Sequence, residues 1–142
     1  MRAWKERGLR PFAGIAADLV VEVVPRPAAD VITYIPPDGD RSLKRGHHPA
    51  AQLARELGDR WGLDTSPLVG RTRAVARQTD LSLADRRRNV RGAFAATARV
   101  PRYVVLVDDV YTTGATAAAA ASALRGGGAR RVEVVTFARA VR

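Results

Sequence analysis

The chain has 142 residues, 46% of them hydrophobic and 27% charged, and it contains no cysteine. This length and composition predict one globular domain over residues 1–142 and argue against a disordered chain. The lack of cysteine excludes disulfide bonds, thiolate zinc sites and a cysteine nucleophile.

The formal net charge is +10, and Lys5 and Lys44 are the only lysines, so the excess comes from arginine. Such a balance favours polyanionic partners: nucleic acid, acidic lipid or phosphorylated small molecules. An arginine-rich surface that merely faces solvent explains the charge equally well. The apolar part of the N-terminus is interrupted by Asp18 and Glu22, unlike a signal peptide, and no apolar run reaches the roughly 20 residues of a membrane span. We therefore expect a cytoplasmic protein with no membrane partner.

The N-terminal segment, residues 1–28, predicts an amphipathic helix that Pro25 and Pro27 end. Its apolar residues recur at helical spacing: Leu9, Phe12, Ala16, Leu19 and Val23. The following run "ADVITYIPP" is β-branched and stopped by two prolines, so it predicts the first core strand.

A polar, basic loop, "DGDRSLKRGHH", separates this strand from a second helix. Pro49 suits the first position of that helix, and Gly62 suits its end. The predicted apolar face consists of Leu53, Ala54, Leu57 and Trp61. Because of its helical spacing we expect Trp61 to belong to the core.

The middle of the chain is less regular. A short strand is expected near Leu68 and Val69, followed by a loop. Ser82 and Asp85 have capping-box-like spacing, which predicts a short basic helix in "SLADRRRNV". The stretch "GAFAAT" then predicts another short strand.

The last third predicts a β-α-β unit from Tyr103 to Ala138. "RYVVLVD" is a continuous apolar run, typical of a strand buried on both faces of a parallel sheet. "ATAAAAASALR" is a strong helix former, Gly126 to Gly128 stop it, and "RRVEVVTFARA" is the last strand. The order of elements predicts an α/β fold with a mainly parallel central sheet flanked by helices.

The stretch "VVLVDDVYTTGAT" carries the strongest functional signal. Asp108 and Asp109 follow the buried strand at its carboxyl end, where ligands bind in open α/β sheets. The next helix begins just beyond, and the unpaired N–H groups and dipole of a helix N-terminus favour an anion. Gly114 allows close approach of the backbone, and three hydroxyls, from Thr112, Thr113 and Thr116, complete a phosphate cradle.

Two carboxylates beside a phosphate site would repel the phosphate unless they bind another group. Sugar hydroxyls or a divalent cation would be such a group. A ribose 5-phosphate offers both a vicinal diol and a phosphate. The Walker B interpretation fails because neither lysine lies in a G-x-x-x-x-G-K-[ST] loop, and no G-x-G-x-x-G dinucleotide motif is present. The acidic pair of a response regulator would come near the start of its domain and be followed by a lysine, whereas this pair lies near the end and no lysine follows it. The remaining alternative is that both aspartates cap the helix and meet nearby arginines.

This stretch resembles the phosphoribosyl diphosphate (PRPP) motif of type I phosphoribosyltransferases. "RSLKRGHHPAAQLAREL", "RQTDLSLADRRRNVRGAF" and "GGGARRVEVVTFARA" resemble segments of the ComF (competence protein F) family, so the likeness covers roughly residues 29–140. It implies a type I phosphoribosyltransferase fold with a small mobile hood.

The resemblance also implies roles for individual residues. Asp108 and Asp109 would bind the ribose hydroxyls and act as the catalytic carboxylates. Mg²⁺ would be the cofactor, with Asp109 reaching it indirectly through PRPP and water. The 5-phosphate would bind to residues of the turn and helix start: Thr112, Thr113, Gly114, Ala115 and Thr116. The pyrophosphate would face Pro37, Arg41, Lys44, Arg45, Arg77 and Gln78, of which the last two belong to the hood.

The implied activity is transfer of phosphoribosyl from PRPP to an unidentified acceptor with loss of pyrophosphate, a glycosyltransferase reaction. The alternative is a non-catalytic module in competence and DNA uptake that senses PRPP or handles single-stranded DNA. Nucleic acid would then be the partner, with the arginines of "DRRRNVR" along its phosphate backbone. A homodimer is a further expectation. Two features depart from the family. The sequence has no cysteine and begins after the place where the family's cysteine-rich N-terminal part would be expected, and His47 and His48 stand where an aromatic-Asn pair is more usual. These histidines are expected to cap the helix or face solvent, with substrate contact as the alternative.

Overall fold

The computed structural model describes residues 9–37, 48–72, 92–111 and 113–139, with backbone only for 9–11. It contains three helices and five strands within these ranges. In chain order they are α1 (Leu9–Val23), β1 (Val31–Tyr34), α2 (Pro49–Trp61), β2 (Val69–Arg71), β3 (Phe94–Ala96), β4 (Tyr103–Tyr111), α3 (Ala115–Gly126) and β5 (Arg131–Arg139).

The main sheet has the strand order β1-β4-β5, and both pairings are parallel. Strand β4 is central and apolar on both faces, so Val104 to Val107 are buried. Val104 and Leu106 pack towards α3, whereas Val105 and Val107 pack towards α1 and α2. The predicted α/β architecture with a parallel sheet flanked by helices is confirmed.

Helix α2 has the predicted bounds and buries the predicted face, including Trp61. Gly62 ends it in the left-handed conformation, φ 64°, and its amide donates to the carbonyl of Gly58. This conformation is accessible to glycine at little cost, which explains why the helix stops there.

Helix α1 is where expected, but its orientation differs from what its large apolar residues suggest. Small residues and Val20 face the core: Ala13, Ala16, Ala17 and Val20. Phe12, Leu19 and Val23 of the predicted apolar set are exposed instead. Close packing on α2 explains this, because the small side chains of Ala16 and Ala17 let the two helices approach closely within one core cluster. The guanidinium of Arg60 also reaches across to the Asp18 carboxylate at 2.7 Å.

A second, antiparallel sheet consists of β2 and β3 and carries the two short strands expected from the sequence. Phe94 and Val69 pack into the core cluster on the α3 side. The hydroxyl of the fully buried Thr33 on β1 accepts a hydrogen bond from the Leu68 amide at 3.1 Å, which joins this sheet to the main one. The predicted basic helix at Ser82 lies outside the described residues.

Candidate active site

A pocket of about 300 Å³ opens where β1 ends, beside residues 108–110 of β4. Its walls are Ile35, Pro36, Pro37, His48, Pro49, Ala50, Arg71, Asp108, Asp109, Val110 and Thr116. The pairing of β1 with β4 ends at Tyr34 opposite Val107, with one further hydrogen bond from the Ile35 amide to the Val107 carbonyl at 3.0 Å. The chain then leaves the sheet, so a gap opens beside the next residue of β4, Asp108. This volume suits a small ligand.

Asp108 and Asp109 line the pocket but do not lie at the end of their strand. Strand β4 continues to Tyr111, because β5 runs beside it and pairs Asp108 with Thr136 and Tyr111 with Arg139. The expectation that the strand stops at the carboxylates was therefore wrong in this detail. It is β1 that stops there, and its departure exposes the acidic pair to the pocket.

The two carboxylates have different environments. Burial raises the pKa of Asp108 to about 7, and the neighbouring Asp109 carboxylate adds to the rise. Asp109 accepts a hydrogen bond at Oδ1 from the amide of Val110 at 3.0 Å. Near neutral pH Asp108 is thus divided between its protonated and ionised forms, and it can donate to or accept from a hydroxyl group.

The N-terminus of α3 lies beside the carboxylates. Gly114 is its N-cap residue, with φ 77°, and the Ala118 amide donates the first helical hydrogen bond to the Gly114 carbonyl at 2.8 Å. The amide of Ala115 donates to Oγ1 of Thr113 at 3.3 Å, a long hydrogen bond that a better acceptor can replace. Thr116, in the first turn, lines the pocket. This is the local geometry that favours an anion.

A second helix begins at the same pocket. Pro49 and Ala50, the first residues of α2, form part of its wall, so the positive dipole ends of two helices point to one cavity. His48 precedes α2, but its side chain makes no capping hydrogen bond. His48 is thus the N-cap residue of α2 through its backbone, whose carbonyl accepts from the Gln52 amide at 2.9 Å. It also forms part of the pocket wall.

Arg71 on β2 is the residue that sequence reasoning missed. Its Nε donates to the Pro37 carbonyl at 2.9 Å, and its Nη2 donates to the Pro36 carbonyl at 3.1 Å. The guanidinium carbon lies 4.8 Å from the centre of the Phe94 ring on β3. Arg71 thereby connects the second sheet to the segment that follows β1. No sequence signal distinguishes it from the other arginines, because its role depends on two segments that are 34 residues apart.

The structure brings together part of the predicted site. Four predicted residues line the pocket: Pro37, Asp108, Asp109 and Thr116. Thr113, Gly114 and Ala115 form the adjoining turn and helix start. The others lie outside the described residues: Arg41, Lys44, Arg45, Arg77, Gln78 and Thr112.

The part of the chain that the structure describes has no cluster of three or more histidine, cysteine, aspartate or glutamate side chains able to hold a metal ion. A pair of carboxylates nevertheless suits Mg²⁺, which usually takes one or two carboxylates together with waters and phosphate oxygens of a ligand. In the same described ranges, no helix has the length and apolarity needed to cross a membrane.

Solved structures that align with this chain include phosphoribosyltransferases. The structure of the allosteric regulatory enzyme of purine biosynthesis aligns with a TM-score of 0.58 and 26% identity, over 91% of this chain and 25% of that one. Glutamine PRPP amidotransferase from B. subtilis, complexed with ADP and GMP, aligns with a TM-score of 0.54 and 26% identity, over 91% and 26%. An adenine phosphoribosyltransferase aligns with a TM-score of 0.54 and 17% identity, over 96% and 73%. The fold is that of the type I phosphoribosyltransferases.

Proteins with similar sequences show to which family within this fold the chain belongs. The chain is 38% identical over 117 residues to DNA utilization protein YhgH of Escherichia coli O6:H1, which is 79% of this chain and 50% of YhgH. It is 36% identical over 107 residues to Competence protein F of Haemophilus influenzae, 70% of this chain and 46% of that protein. No protein-family model matches. The chain spans about half the length of the relatives it matches, and over these residues it belongs to the competence protein F (ComF) family.

Proposed function

We propose that the chain binds PRPP together with Mg²⁺ and transfers the phosphoribosyl group to an acceptor, releasing pyrophosphate. The observation that carries the proposal is the convergence of Asp108, Asp109 and the N-terminus of α3 on one pocket of about 300 Å³. The carboxylates would accept hydrogen bonds from the ribose diol. The backbone N–H groups at the start of α3 would donate to the 5-phosphate oxygens. The names of two structural neighbours, a PRPP amidotransferase and an adenine phosphoribosyltransferase, support the same ligand class.

The reaction would be a displacement at the anomeric carbon. The bond from this carbon to the pyrophosphate oxygen breaks, and the electron pair leaves with pyrophosphate. The lone pair of the acceptor forms the new bond, and the acceptor gives up a proton. Positive charge that develops on the sugar faces Asp108 and Asp109, so the site stabilises the transition state electrostatically.

The leaving group would occupy the opposite side of the pocket, beside Pro37. We assign its contacts to residues of two segments that lie outside the described ranges, 38–47 and 73–91. These residues are Arg41, Lys44, Arg45, Arg77 and Gln78. Mg²⁺ would be held by PRPP oxygens, with Asp109 reaching it through water, and would neutralise charge on the pyrophosphate. A cytoplasmic location is part of this proposal.

Calorimetry of PRPP binding with and without Mg²⁺ tests the proposal on the wild type and on Asp108→Asn/Asp109→Asn. We expect Mg²⁺-dependent binding that the double variant loses. Asp59→Asn is the matched control, since Asp59 is exposed on α2 away from the pocket. A folded wild type that does not bind PRPP, or a double variant that binds as well as the control, overturns it.

The relatives support a second candidate, because their names are a DNA utilization protein and a competence protein. With a net charge of +10 the chain suits a phosphate backbone, and we propose single-stranded DNA handling as the alternative function. DNA affinity that falls steeply with salt and is lost in Arg86→Ala/Arg87→Ala, in a chain without PRPP binding, would favour it. A phosphoribosyltransferase should keep its PRPP affinity in that variant.

A further inference from the structure

One side of the molecule exposes a stripe of large apolar side chains. They lie on α1 and are spaced so that they share one helix face: Phe12 (50% exposed), Ile15 (58%), Leu19 (50%) and Val23 (78%). The described residues contain seven exposed large hydrophobic side chains, and these are four of them. Helix α1 therefore packs on its own domain through alanines and presents its large side chains outward. Such a concentration marks an interaction surface.

This stripe continues onto an open sheet edge. The ring of Phe12 meets the ring of Phe137 on β5 edge to face, with centroids 5.4 Å apart. Within the described residues β5 pairs only with β4, so its nine residues form an edge of the main sheet. Val134, another of the seven exposed hydrophobic residues, lies on this strand. An edge strand offers unpaired N–H and C=O groups to a further strand.

We propose that this α1–β5 edge joins two copies of the chain in a two-fold dimer, in which β5 pairs antiparallel with β5 of the second copy. A two-fold axis perpendicular to the sheet generates this pairing from a single surface, as an isologous interface requires. The same axis places the two α1 helices side by side on one face of the joined sheet. The stripe of each copy then covers the stripe of the other.

Charge complementarity favours a register with Thr136 on the axis, which also pairs most of β5. Glu133 on an edge strand would oppose pairing unless a cation lies opposite, since inward-pointing charges protect sheet edges. If Thr136 lies on the axis, Glu133 faces the exposed Arg139 of the second copy and Val135 faces its Phe137. Glu133 already binds Arg131 at 2.5 Å, so it would lie between two guanidinium groups. Val134 would pair with Ala138 of the second copy on the opposite face.

Sedimentation equilibrium over a range of concentrations measures the assembly. We expect twice the chain mass of 15.3 kDa. Ile15→Glu/Leu19→Glu should give a folded monomer, because both side chains are exposed in the single chain. Ala118→Glu, at an exposed position on α3, is the control and should remain dimeric.

A charge exchange tests the register. Glu133→Arg and Arg139→Glu should each raise the dimer dissociation constant about tenfold, because each creates two like-charge pairs across the axis. The double variant should recover most of the affinity. Since the chain has no cysteine, Thr136→Cys should form one intermolecular disulfide on mild oxidation.

A wild type that stays monomeric at high concentration overturns the proposal and leaves the stripe to a different partner. A dimer that survives Ile15→Glu/Leu19→Glu overturns it as well. So does a dimer in which Thr136→Cys does not crosslink and the exchanged charges fail to compensate.

Discussion

The phenol ring of Tyr111 lies against Gly114, on the side where any other residue would carry its Cβ. A Cβ built on Gly114 would be 2.6 Å from Cζ of Tyr111 and would overlap its hydroxyl. Gly114 also has a φ of 77°, a conformation that disfavours side chains. The backbone conformation of this turn therefore requires glycine, and a side chain at position 114 would in addition have to displace the Tyr111 ring.

Replacement Gly114→Ala should lower the melting temperature and weaken PRPP binding at least tenfold, because the strained residue is the cap of α3. The left-handed backbone alone costs about 1–2 kcal/mol for alanine. Adding Tyr111→Ala should relieve the overlap but not the backbone strain, so the double variant should recover only part of the stability. Gly126→Ala is the control, since a Cβ there meets nothing within 4 Å. Equal stability of the Gly114 and Gly126 variants by thermal unfolding would contradict the expectation.

Arg71 should matter for pyrophosphate more than for the sugar phosphate. It holds the carbonyls of Pro36 and Pro37, at the wall where we place the leaving group. Arg71→Ala removes the hydrogen bonds that hold these two carbonyls in the pocket wall. We expect pyrophosphate binding to weaken about tenfold, which corresponds to the loss of one charge-assisted hydrogen bond of about 1.5 kcal/mol. Arg71→Lys should not restore it, because an ammonium group lacks the planar fork that serves two carbonyls.

Calorimetric titrations with pyrophosphate and with ribose 5-phosphate separate these effects. Arg99→Ala, at an exposed position, should leave both affinities unchanged. Equal losses for the two ligands in Arg71→Ala would show that Arg71 supports the whole pocket rather than its pyrophosphate side.

Local sequence signals predicted most of the fold but only part of the site. The buried run of β4, the apolar face of α2 and the glycine stop at Gly62 each follow from a pattern within one segment. The orientation of α1, with its large apolar side chains exposed, could not be predicted from the sequence. Helical spacing shows which residues share a face but not which face meets the core. Arg71 was missed for a related reason, since its partners belong to a distant segment.

The two carboxylates illustrate the same limit at the site. Their sequence predicted a ligand position at the end of a strand, and the pocket is there. The end in question belongs to β1, however, and the pairing of β4 with β5 decides how far the acidic strand continues. Strand register depends on tertiary packing, which no local pattern records.

Asp108 should make the stability of the folded protein depend on pH. Its pKa is about 7 when folded, whereas an unfolded aspartate titrates near about 3.9. The folded state therefore binds this proton more tightly, so its stabilising contribution is complete below about pH 4 and is lost as the pH rises through 7. The melting temperature of Asp108→Asn should lack this component.

The pH-dependent contribution of Asp108 to stability can be measured from melting temperatures between pH 4 and 8, as the difference between the wild type and Asp108→Asn. The wild type should lose stability relative to the variant between pH 4 and 7, and the difference should then level off. Asp59→Asn is the control and should follow the wild type. Parallel curves for the wild type and Asp108→Asn would show that the carboxyl is not protonated in the folded state.

The hydroxyl of Thr33 joins the two sheets. Thr33 is fully buried, and its Oγ1 accepts from the Leu68 amide at 3.1 Å. Thr33→Val keeps the shape but leaves that amide without an acceptor, which costs about 1–3 kcal/mol. Thr33→Ser keeps the acceptor and loses one buried methyl group, so it should cost about 1 kcal/mol. Urea unfolding should therefore rank the valine variant below the serine variant. The reverse order would mean that packing of the methyl group, and not the hydrogen bond, holds the second sheet to β1.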